Sequence, residues 1–341
     1  IKASIDYSAI QTSGENSTGL LVQAIGGGGG FTGSTSGNAL TLGGTIRGNS
    51  SSSSGRVDLN NKAEIKTFGT NSAALIAQAI GGGGGASATN DGNTVVMGTV
   101  STALSADNLP VISTGNVNVT NSATLSTNAI GSAALIAQSI AGGGGYVSET
   151  DGSDEYDITF GASGNMRATA GSVTVKNTGD LLITTSDYSP SLVAQSIGGG
   201  GGYALISAKT GGKTRIGATN NKLGEDNSGN VTVNNSAVLY TKGKYSTALT
   251  AQTIGGGGGV ISSAASSLAL GTKNHLGAAK SGNVDVTNTN IIQTDGNYSG
   301  GMIVQTIGSG GGYIAGSSGG SAVLGAVNGL SPSLGTSGNL T

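Results

Sequence analysis

The stretch STALTAQTIGGGGG, Ser246 to Gly259, decides the fold, because it recurs in near copy six times along a chain of 341 residues. Taking the Gln before each glycine run gives Gln23, Gln78, Gln138, Gln195, Gln252 and Gln305, separated by 55, 60, 57, 57 and 53 residues. Self-similarity at about 56 residues marks a repeat architecture, in which each unit buries its apolar face only against its neighbours. A Ser stands six positions before every Gln: Ser17, Ser72, Ser132, Ser189, Ser246 and Ser299. An Ile follows every Gln by two: Ile25, Ile80, Ile140, Ile197, Ile254 and Ile307.

Two further anchors flank this stretch. Upstream, a Gly precedes alternating aliphatics, as in Gly55–Val57–Leu59, Gly115–Val117–Val119, Gly229–Val231–Val233 and Gly282–Val284–Val286. A period of two predicts a half-buried strand, and Ala237–Val238–Leu239–Tyr240 predicts a second one. Downstream, a large apolar residue meets a Gly at Leu42–Gly43, Met97–Gly98, Phe160–Gly161, Ile216–Gly217, Leu270–Gly271 and Leu324–Gly325, which reads as a short strand ending in a turn. The upstream Gly and the Gln are 23, 23, 24, 23 and 23 residues apart, whereas the glycine run and the next upstream Gly are 25, 30, 26, 27, 23 and 26 apart. Loops therefore belong to the second half of the unit.

A rung of parallel β-helix takes roughly 18 to 25 residues at about 3.3 Å per extended residue, so one unit is expected to hold about two rungs. The expected fold is an all-β parallel β-helix, or β-solenoid, of six units: 1–54, 55–114, 115–170, 171–228, 229–281 and 282–337, with 338–341 opening a seventh. Twelve rungs at about 4.8 Å would give a rod of roughly 55 to 60 Å. The first unit opens between its own anchors and neither end reads as a polar cap, so a longer array is expected.

Composition narrows the function classes. Gly fills 65 positions and Pro 3, with 35% hydrophobic and 4% aromatic residues, so the expected core is thin and built of Val, Ile, Leu and Ala. Charged residues are 9% and the net charge is −2, which argues against nucleic acid as a partner. The absence of Cys removes disulfides, zinc–thiolate sites and cysteine nucleophiles. Stability must come from packing.

Four glycine runs are five residues long, and the other two keep that length with Ala141 or Ser309 inside them. A flexible linker would drift in length, so an ordered backbone is expected that sits where a Cβ would clash or at φ > 0, in extended strands stacked along one edge and hydrogen-bonded between units or to a neighbouring chain. Phosphate cradling is not indicated. The nearest match, Gly212–Lys213–Thr214, has Ser207 where the motif needs a Gly, and no long helix pattern follows.

Few other residues offer chemistry. His275 is the one histidine a catalytic triad could use, and its loop, GTKNHLGAAK, reads as solvated. Glu149, Asp151, Asp154, Glu155 and Asp157 could ligate calcium, yet they occur in one unit and lack the nonapeptide pattern of calcium β-rolls. Tyr146, Tyr203 and Tyr313 follow glycine runs, and Tyr188, Tyr245 and Tyr298 precede the repeated Ser; stacking for stability is the favoured reading, sugar or chain binding the other. The six Gln are expected to form a hydrogen-bonded ladder or to bond turn backbones. No catalytic, cofactor-binding or metal-binding residue is assigned.

The segments VTVNN at Val231–Asn235, YSTALTAQTIGGGGG at Tyr245–Gly259 and AQSIG at Ala194–Gly198 resemble the repetitive passenger regions of large proteobacterial autotransporters. That resemblance covers all six units. It implies a parallel β-helix passenger exported through an outer-membrane β-barrel translocator encoded elsewhere in the full chain, on the extracellular bacterial surface. It implies roles in adhesion, aggregation or biofilm through self-association or contact with cell surfaces and glycans. The leading expectation is a non-enzymatic stalk or fibre. The alternatives are a self-assembling surface filament or matrix protein, and a polysaccharide-acting β-helix enzyme with clustered carboxylates in a groove.

Overall fold

The computed structural model describes residues 1–33, 39–89, 94–149, 157–207, 212–263, 267–316, 321–325 and 335–341. The third repeat shows the plan of every rung. It runs through β1 (Val117–Asn121), β2 (Leu125–Thr127), β3 (Leu135–Ile140), β4 (Gly144–Glu149), β5 (Asp157–Phe160) and β6 (Arg167–Thr169). Each of these pairs only with its equivalents in other repeats, and the same labels serve for all of them. The result is six parallel sheets of six strands, a parallel β-solenoid. In the β3 sheet Gln78 pairs with Gln23 and Gln138, and Ile80 with Ile25 and Ile140, so like residue lies on like residue.

That register corrects the expected rung count. A strand's hydrogen-bonded neighbours lie one whole repeat away, as in Gly81 N–H to Ile140 O at 3.0 Å and Leu192 N–H to Ala248 O at 2.9 Å. Each repeat is therefore one rung rather than two. Six rungs at about 4.8 Å place the first and last about 24 Å apart, less than half the expected rod.

The rung is wide because it is layered. β1 alternates buried and half-exposed residues, whereas β3 and β4 are buried at all six positions in the third, fourth and fifth rungs. Val117, Val119 and Leu125 of β1 and β2 pack on Leu135 and Ala137 of β3. The other face of β3, through Ile136, meets Tyr146 and Tyr203 of the β4 sheet. The far face of β4, through Val147, meets Ile158 and Phe160 of β5. β6 closes the rung, with Ile112 and Ala168 packed against Ala141 at the β3–β4 corner. The core is thus four layers deep, not thin, although it uses the small aliphatics that composition allowed.

The glycine run forms the β3–β4 corner inside the protein, which corrects its expected place along an edge; Gly198–Gly202 and Gly255–Gly259 are wholly buried. Its last two residues open β4 with extended mirror-image backbone, φ +150° at Gly201 and +143° at Gly202. A Cβ on Gly201 would lie 1.9 Å from the Gly258 oxygen of the rung on one side. On Gly202 it would lie 1.9 Å from the Gly145 oxygen on the other. No side chain fits between strands stacked this way. The Gly that ends β5 meets the same corner, since a Cβ on Gly200 would sit 2.8 Å from Cα of Gly161.

Gly201→Ala is expected to lower unfolding stability by more than about 3 kcal/mol, combining a backbone cost of order 1–3 kcal/mol with the backbone collision. Gly55→Ala, where a Cβ meets nothing within 4 Å, is expected to stay within about 0.5 kcal/mol of the parent. Urea denaturation of both variants checks this, and similar losses in the two would contradict the stacking.

Candidate functional site

The polar interior consists of ladders along the axis. Each Gln amide donates from Nε2 to Oε1 of the next: Gln23 to Gln78, Gln78 to Gln138 and Gln138 to Gln195 at 2.7 Å, Gln195 to Gln252 at 2.8 Å and Gln252 to Gln305 at 2.6 Å. Nε2 also reaches the carbonyl of the fifth glycine in its own run, as from Gln138 to Gly145 at 3.2 Å. Both expected roles, ladder and turn bonding, are therefore filled by the same amide. A second ladder, Asn61, Asn121, Asn177, Asn235 and Asn288, runs along the β1–β2 corner at 2.6–2.8 Å. The repeated Ser holds the β2–β3 arch: Ser132 N–H donates to Ser189 Oγ at 3.1 Å, and Thr127 Oγ1 donates to Ser132 O at 2.6 Å. In the sequence this column shows only as an Asn that ends the alternating strand in five of the six repeats, with Ile5 in the first.

His275 is fully buried, contrary to the solvated loop expected of it. Its Nε2 lies 2.7 Å from Oδ2 of Asp226, also fully buried, and Asn221 Nδ2 donates to the same oxygen at 3.1 Å. Asp226 occupies the inward column of β6 between Ala168 and Ala279, where the short alanines leave it room. Burial raises its pKa above the ordinary 3.8, opposed by the hydrogen bond and charge of His275. A folded chain that holds this proton more tightly than the unfolded chain gains stability in acid and loses it as pH rises through the folded value. The pair sits in the core and faces no described cleft.

The tyrosines fall into two columns that cross the rungs. Tyr146 and Tyr203 are buried in one column between β3 and β4, and Tyr146 Oη donates to Gly131 O at 2.8 Å. Tyr313 continues that column, half-buried. Burial pushes the Tyr146 and Tyr203 hydroxyls far above their usual range, and Tyr188 up to about 12. Tyr188, Tyr245 and Tyr298 stack with centroids 5.0 Å apart at each step, all in left-handed backbone, φ +55° to +61°. Only the Tyr298 end of that stack is widely exposed. Of the acidic stretch, Asp151, Asp154 and Glu155 lie outside the described residues. Glu149 is buried at the end of β4 and Asp157 is exposed at the start of β5, so these two are not brought together at the surface. Lys213 and Thr214 begin a β5 strand, not a phosphate loop before a helix.

What faces outward is a polar β1 sheet. Its paired columns read Lys2, Asp58, Asn118, Thr174, Thr232, Asp285 and Ser4, Asn60, Thr120, Lys176, Asn234, Thr287. Asn118 Nδ2 donates to Asp58 Oδ1 at 2.8 Å and Arg56 pairs with Asp58 at 2.7 Å, so the face is laced by short polar contacts. Compared with known proteins, the chain matches no family model, no curated protein and no solved structure.

Replacing Gln195 by Leu leaves the Gln252 oxygen without its ladder donor, takes one of two acceptors from the Gln138 amide, which keeps Gly145 O, and removes the amide contact to the Gly202 carbonyl. A loss of about 2–4 kcal/mol is expected in denaturant unfolding, since each orphaned buried group costs about 1–3 kcal/mol; an unchanged midpoint would remove the ladder from the account. Asp226→Asn keeps the shape and removes the buried charge. Its stability relative to the parent is expected to rise between about pH 3 and pH 7, and a flat difference across that range would contradict the raised pKa.

Proposed function

We propose that this chain is a structural and adhesive repeat region of an extracellular bacterial surface protein, a stalk or fibre segment rather than a catalyst. The observation that carries the reading is the in-register stacking itself: every rung offers the next the same sheets and the same Gln and Ser ladders, and five of the six rungs share the Asn ladder. Such an array lengthens by adding repeats without inventing a new interface. The resemblance to autotransporter passengers supplies the setting, with an outer-membrane β-barrel translocator elsewhere in the full chain and aggregation, adhesion or biofilm as the outcome. Support also comes from composition, because a Cys-free chain can cross an oxidising compartment without forming disulfide-trapped intermediates.

The outward β1 face is the broad surface this reading gives to partners. Immunogold microscopy of intact bacteria, with antibody raised against residues 1–341, is expected to label the outer surface. Deleting the repeat region is expected to reduce cell aggregation in the same strain. Label confined to the cell interior, or aggregation unchanged by the deletion, would overturn the proposal.

A further inference from the structure

On the outer face of the β5 sheet one column of paired residues reads Thr41, Val96, Thr159, Arg215, Ala269, Val323. After Arg215 the side chains drop to Ala269, and the space left is a surface cavity of about 180 Å³. Arg215, Ala269, Thr272, Lys273 and Val323 line it. Two cations therefore share one small groove. Arg215 is half-buried, and it forms no ion pair: the pairs among the described residues are Arg56–Asp58, Lys62–Asp6, Lys66–Glu64 and His275–Asp226. Asp157, on the neighbouring strand opposite Lys213, accepts the backbone N–H of Lys213 at 3.3 Å. Thr272 adds a buried hydroxyl with no hydrogen-bond partner. The frame is rigid, since Lys273 N–H donates to Ala218 O at 3.0 Å and Gly271 N–H to Ile216 O at 2.8 Å.

We propose that this groove is an anion-binding site that takes a single small oxyanion, a carboxylate or sulfate, free or as the acid group of an acidic glycan. A guanidinium stays charged at any physiological pH and presents a planar fork to such a group, while Lys273 adds a point charge from the adjacent rung. Burial already disfavours the Arg215 cation, so an anion restores what the surface withholds. The cavity is smaller than the roughly 300–1,000 Å³ that holds a drug-sized ligand, which fits one acidic group and not a long polyanion. A chain with 15 Lys and Arg and a net charge of −2 offers no continuous basic track for a nucleic-acid backbone. The site does not rest on the cell-surface reading and stands or falls separately from it.

Calorimetric titration of the intact chain with sodium sulfate and with galacturonate tests it, followed by a sulfated glycan and polygalacturonate, with a neutral oligosaccharide as control. At least one of the two small anions is expected to bind, more weakly as sodium chloride is raised. Arg215→Gln and Lys273→Gln are each expected to weaken that binding about tenfold or more with an unchanged β-sheet circular dichroism spectrum, and Arg215→Lys to retain part of it. Preference for sulfate or for galacturonate would identify which acid group the groove accepts. Absence of binding by the parent chain for both anions, or parent-like binding by the Arg215→Gln/Lys273→Gln double variant, overturns the proposal.

Discussion

The structure depends on one constraint: parallel strands stacked in register, one repeat apart, so that each side chain meets its own equivalents at about 4.8 Å. Only certain residues tolerate that. Gln and Asn can donate to and accept from a copy of themselves; the Gln column runs through all six rungs and the Asn column through five. Ile stacks on Ile with its branched surface matched, as at Ile140, Ile197 and Ile254. Like charges directly opposite each other repel, and no described strand pairing places two of the same sign together. Lys2 faces Asp58, Asp157 faces Lys213, and Asp226 stands between alanines. The low charge content is thus a consequence of register before it is a statement about partners.

The same constraint explains the glycines. A chain that must turn from β3 into β4 within a layer 4.8 Å thick has backbone directly above and below it. Gly201 and Gly202 place their missing Cβ atoms toward opposite neighbours, so substituting either one collides with a different rung. Ala141 shows where the limit lies: it stands at the first position of its run, where the column leans on Ile112 and Ala168 of β6. The last two glycines, with φ in the mirror-image extended region in every described run, admit no such exchange.

Much of this was legible. The repeat, the alternating β1 strands, the strand before each anchor Gly and the Gln ladder follow from spacing and periodicity. The rung count was misread because the lengths of two conventional triangular rungs fit about 56 residues as well as one layered rung does. The signal against that reading was in LIAQAI, Leu75–Ile80, whose residues are apolar or small at nearly every position and do not alternate. Such a strand is covered on both faces, which a simple three-sided coil does not provide. His275 was misplaced for a different reason. Its local sequence is polar and Gly-containing, and the partner that draws it inside, Asp226, lies one rung away at a position held by alanine on both sides.

A layered rung changes what a repeat contributes to a solenoid. About 56 residues advance the axis by only about 4.8 Å, where a three-sided coil of 18 to 25 residues would advance it equally. The extra chain goes into width: two strands buried on both faces, and several separate apolar columns linked by amide and hydroxyl ladders. Bending such a column means opening hydrogen bonds in several sheets at once on one side while compressing glycine backbones already at contact on the other. Length is therefore exchanged for lateral stiffness, and the same stacking holds outward side chains such as Asn118, Thr174 and Arg215 in fixed relation from rung to rung.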